Sequence, residues 1–129
     1  MVVLMSRSAA LAVALLVPLV ATVPAQQPTP RVIEITAERF DFWPSEITVT
    51  EGEELELRIT SDDTAHGFRL VGTSINVMIP KRGKGQAVVR LRAPQAGRYT
   101  FECSRMCGAG HNFMRGVLVV KTSSARSLR

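Results

Sequence analysis

The stretch CSRMCGAGHNFM, residues 103–114, places both cysteines of the chain, one of its two histidines and two of its five methionines within twelve positions. Thiolate, imidazole and thioether are soft to borderline donors. The spacing Cys107-x3-His111-x2-Met114 suits a soft transition metal, above all an electron-transfer copper. Such a site needs a second imidazole from outside the loop. The other histidine, His66 in DTAHGFRL, opens a predicted strand. Each residue alone has a plainer role: His66 or His111 as a loop histidine, Met114 as a filler of core gaps, Cys103 and Cys107 as a tight disulfide subject to strict geometry. Taken together, the plainer roles require separate coincidences at ligand spacing.

Cys103 is the residue a single metal leaves idle. Two thiolates bridging two copper ions would use it, with one histidine per metal. Met114 would then be a weak axial ligand to one ion, and the backbone carbonyl of Arg105, between the cysteines, would serve the other. Two copper ions are therefore the expectation, with a mononuclear blue-copper carrier and a metal-free disulfide domain as alternatives. A copper-storing or copper-delivering chaperone would use the same ligands. Protein groups fill every ligand place, so no open position remains for substrate, and the chain alone is not expected to be an enzyme.

The elements that must position this loop read as strands. ELELRIT (54–60) alternates strictly, with Leu55, Leu57 and Ile59 on one face and Glu54, Glu56 and Arg58 on the other. VIEITA (32–37) sets Ile33 and Ile35 against Val32, Glu34 and Thr36. Further strands are predicted at 47–50, 67–71, 76–79, 86–92, 97–103 and 116–121, separated by Gly, Pro, Asp and Ser. The pattern argues for an all-β antiparallel sandwich or barrel. In GRYTFECS, Tyr99, Phe101 and Cys103 share a face, so Cys103 leaves its strand on the core side. Gly108 and Gly110 let the loop turn sharply.

The chain has 129 residues, room for one domain, with 46% hydrophobic residues and a net charge of +5. The basic residues are spread along it without an aromatic stacking platform, which argues against nucleic acid. Residues 1–25 read as a signal peptide or a single membrane anchor. Arg7 precedes an uncharged run, 9–23, and VPA offers a cleavage site after Ala25. The run is shorter than the roughly 20 residues a spanning helix needs, so export to the periplasm or the outer face of the cytoplasmic membrane is expected. Residues 26–30 read as a linker, 31–121 as the domain, and 122–129 as a flexible tail.

The sequence resembles the dinuclear copper A domain of cytochrome c oxidase subunit II, in the cupredoxin superfamily. HGF at 66–68, AGRY at 96–99, and CSRMCGAGHNFMRG at 103–116 carry the resemblance, which spans roughly 31–121. It implies a Greek-key β-sandwich of cupredoxin type and a respiratory one-electron relay from a cytochrome c or similar donor to an oxidase catalytic subunit or another reductase. The ligands it implies are His66, Cys103, the Arg105 carbonyl, Cys107, His111 and Met114. Arg105 stands where many members of that family carry an acidic residue that helps bind magnesium at the catalytic subunit. The surplus of Lys and Arg over Glu51, Glu53, Glu54 and Glu56 points to a neutral or acidic donor. Trp43 reads either as an electron entry point or as an aromatic that packs the sandwich.

Overall fold

The computed structural model describes residues 21–124. The segment 1–20, which holds most of the leader or anchor, and the tail 125–129 lie outside the described residues. Among the described residues, nine strands form two layers: β1 (Arg31–Glu38), β2 (Asp41–Trp43), β3 (Glu46–Thr50), β4 (Glu54–Ser61), β5 (His66–Leu70), β6 (Asn76–Ile79), β7 (Ala87–Arg92), β8 (Gly97–Glu102) and β9 (Arg115–Lys121). One sheet runs β2-β1-β4-β7 and the other β3-β9-β8-β5-β6. The only helical turn among the described residues is a short 3-10 segment, His111–Phe113, inside the cysteine loop.

The period-two segments lie as strands with their apolar sides inward. Leu55, Leu57 and Ile59 are at most 3% exposed, and Ile35 is 1% exposed. Two features depart from the expected antiparallel sandwich. Both sheets are mixed: β1 runs parallel to β4, with Ile33 opposite Leu57, and β3 runs parallel to β9, with Ile47 opposite Leu118. The chain crosses between layers after β2 and again after β3, so strands that start from the same end become neighbours. Glu56, read from the alternation as an outer residue, is buried at 6% exposure because Arg58 and Arg90 fold over it, each donating from Nε at 2.8 Å.

The layers meet over an aliphatic core with an aromatic knot at one end. Phe42, Phe68 and Phe101 come from three strands, one in one sheet and two in the other. Their ring centroids lie 5.3–6.0 Å apart, stacked between Phe68 and Phe101 and edge-on to Phe42. Phe68 is two residues from His66 and Phe101 two from Cys103, so the knot is the floor on which both donors stand. Trp43, beside Phe42, is 66% exposed and does not pack the sandwich.

Candidate metal centre

Strands β8 and β9 pair from Gly97↔Val120 to Glu102↔Arg115, and the twelve-residue loop hangs between their ends. Its mouth is closed by the Cys103 amide, which donates to the Met114 carbonyl at 3.0 Å. Inside, the amides of His111, Phe113 and Met114 bond back to the carbonyls of Gly108, Gly110 and His111. This closure puts the first and last donors of the loop side by side on the buried side. Cys103, Cys107 and Met114 are all buried, Met114 completely.

Two glycines allow other parts of the chain to come this close. A Cβ on Gly67 would lie 2.2 Å from Ser104 Oγ and 2.9 Å from the Arg105 nitrogen. Its absence lets the Ser104 hydroxyl cross over β5 and donate to Asn76 Oδ1 at 2.7 Å. Gly110 has an ordinary φ of −89°; what requires glycine there is the Phe40 ring, 2.3 Å from where a Cβ would sit. The sharp turn is at Gly108, at φ +147°.

The donors converge around the two sulfurs. The cysteines are free thiols with Sγ atoms 3.7 Å apart, so the disulfide alternative does not hold in this structure. Cys103 Sγ lies 3.9 Å from His66 Nδ1 and donates to the Arg105 carbonyl at 3.1 Å. Cys107 Sγ lies 3.9 Å from both His111 Nδ1 and Met114 Sδ. Burial first, and the neighbouring Cys103 thiol second, push the Cys107 thiol up to about 11. In the metal-free chain it therefore keeps its proton at neutral pH, and a metal that binds there must release it.

One residue the sequence reading missed is Asp63. Its Oδ1 lies 2.6 Å from His66 Nε2, and His66 is completely buried. A carboxylate accepting from Nε2–H leaves the Nδ1 lone pair directed at Cys103, the arrangement by which a second partner orients a ligating histidine. Burial works against the Asp63 charge. The His66 hydrogen bond and the backbone amides of Arg39 and Thr64 outweigh it and hold the carboxyl at about 2. Arg39 also ties the two loops together: its amide donates to Asp63 Oδ2 and its Nε donates to the Cys107 carbonyl, both at 2.9 Å. An acidic residue three places before His66 was the available signal, but Asp62 and Asp63 are indistinguishable in an exposed-looking turn.

The expectation of two copper ions is corrected here. Among the described residues, the histidine, cysteine and carboxylate ligand atoms that gather within 4.8 Å of one another form a single candidate site of three, His66, Cys103 and Cys107. His66 lies beside Cys103, while His111 and Met114 lie beside Cys107 and stand outside that group of three. Two thiols and an imidazole in a buried pocket fit a soft metal and disfavour hard cations, which prefer oxygen.

The fold and this donor set define a class: a cupredoxin-like β-sandwich with a soft-metal site at one end. The chain belongs to the cupredoxin-like domain family, whose pattern matches residues 10–120. It is related to two proteins named cytochrome c oxidase subunit 2 from Thermus thermophilus, each 37% identical over 95 residues and 73% of this chain. The chain spans 68% of one of these relatives and 55% of the other. A heme-copper terminal oxidase dimer contains a chain of the same fold, at 27% identity and TM-score 0.63, covering 76% of this chain and 73% of that one. Auracyanin A, a blue copper protein from Chloroflexus aurantiacus, shares the fold at 21% identity and TM-score 0.58, over 72% of this chain and all of the other.

Proposed function

We propose that this protein is a copper-binding one-electron carrier that holds a single copper ion between His66, Cys103 and Cys107, with His111 and Met114 completing the Cys107 side. The observation that carries the reading is the convergence of three soft donors, all buried, on one point of a closed loop. Copper bound there would supply a couple that gains and loses one electron. The chain's own contribution is stiffness. The Cys103–Met114 backbone bond pinches the loop, Asp63 fixes the His66 ring, and Arg39 anchors Cys107, so little needs to move between oxidation states. Kinship with cytochrome c oxidase subunit 2 supports a respiratory setting, with a cytochrome-type donor and an oxidase or other reductase as acceptor. The leader-like segment 1–25 supports an exported location on the periplasmic side.

A copper-delivery role has one observation in its favour. A cavity of about 300 Å³ opens onto Cys103 and His111, which gives metal a path in or out. Exchange against a chelator separates the roles: a carrier retains its copper, a delivery protein yields it quickly.

The test is copper titration of the reduced chain, followed by metal analysis and optical spectroscopy. One tightly held ion per chain, with a thiolate-to-copper charge-transfer band that Cys107→Ser removes, is the expected result. Two ions per chain, or a band unaffected by Cys107→Ser, would overturn it.

A further inference from the structure

The cavity beside the site carries a charge arrangement that electron carriage alone does not require. Its walls include Arg69 on β5, Glu102 on β8, Arg115 at the start of β9, and the loop residues Ser104 and Asn112, with Cys103 and His111 at its inner side. Glu102 is shared. Arg69 Nη2 contacts one of its oxygens, and Arg115 Nε lies 3.7 Å from the other. Glu102 is only 19% exposed, whereas Arg69 and Arg115 are 51% and 59% exposed. One carboxylate thus holds two guanidiniums apart at the mouth and neutralises only one of them. A guanidinium carries five N–H donors in a fork that matches carboxylate geometry, and one shared carboxylate uses few of them. The residual positive charge opens outward, directly over two of the metal donors.

Resting on the electron-carrier reading, we propose that Arg69 and Arg115 form the docking point for the carboxylate-bearing face of an acidic redox partner protein, which thereby sits over His111. His111 is half-buried and Phe113, two residues on, is 82% exposed. Together they give the charged mouth an apolar neighbour of the kind that excludes water from a transient interface. Charge of this sort acts chiefly on encounter rate and orientation.

The test maps anion binding by NMR on the full chain, using hexacyanochromate(III) as a paramagnetic probe. It is run on both the metal-free and the copper(I)-loaded protein, so a failure to bind copper leaves this test standing. Broadening should centre on the amides of 69, 102–104 and 111–115. Hexaglutamate should relieve it and hexalysine should not. Arg69→Gln with Arg115→Gln should weaken the probe about five-fold or more at low salt, while Glu102→Gln should strengthen it, as expected for a trivalent anion near a site that loses two positive charges or one negative charge. Arg105→Gln, in the loop but not on the cavity wall, should change it less. With copper bound, oxidation by hexacyanoferrate(III) should slow in the double variant, and oxidation by the cationic tris(phenanthroline)cobalt(III) should not. Broadening centred elsewhere, such as on Lys81–Lys84, no relief by hexaglutamate, or equal effects on both oxidants would overturn the proposal.

Discussion

At His66 the two ring nitrogens have different tasks. Nε2 meets Asp63 at 2.6 Å and Nδ1 faces Cys103 at 3.9 Å. Replacing Asp63 with Ala removes the acceptor that fixes the tautomer and should weaken copper binding by about 10- to 100-fold, measured by competition with a chelator. Asp63→Asn keeps an acceptor without the charge and should fall in between; equal affinity for all three proteins would show that Asp63 orients nothing. That these side chains would gather was legible in the sequence because residue type and spacing carry that information: Cys103, Cys107, His111 and Met114 sit in one loop, and His66 comes to it from outside. The number of metal ions was not legible. It depends on the directions in which side chains point, and His66 joins both sulfurs at a common point that linear spacing cannot express.

At the scale of elements, β4 and β1 were readable from their alternation, and the face shared by Phe101 and Cys103 was readable from phase. Strand β2 was not, since three residues of FDFW are too few to show a period. The parallel pairings were hidden as well, because they follow from crossings between layers that no single segment records. Glu56 shows how a strand can break its own alternation. Hydrogen bonds from Arg58 and then Arg90 hold its carboxyl below the usual carboxylate range, on the β4–β7 face of the sandwich. The sign follows from linkage. A carboxyl whose folded pKa is depressed contributes stability above its unfolded pKa, and loses it as pH falls from the ordinary carboxylate range through the lower folded value. Denaturant midpoints of the wild type should therefore drop over that acidic window. Glu56→Gln should be less stable at neutral pH and show a flatter profile there; parallel profiles would mean that the arginines do not act through this charge.

For the whole molecule, the sandwich and the loop are one cooperative unit: the floor of the site is the Phe42–Phe68–Phe101 knot, and the mouth of the loop is a continuation of the β8–β9 ladder. A metal that binds only the folded chain stabilises all of it. At free copper about 1,000 times above its dissociation constant the gain is about 4 kcal/mol. For a domain of this size, calorimetry should show Tm rising by at least about 10 °C, and Cys107→Ser should show no comparable rise. The pairing of β3 with β9 carries a further consequence. Residues 46–50 wait for residues 117–121 before they have a neighbour, and β9 is also the wall on which β8 closes. A growing polypeptide leaving the ribosome therefore cannot complete its second layer until almost the last residue of the domain has emerged. The cysteine loop is translated just ahead of that final piece, so its mouth closes only when β9 docks against β8.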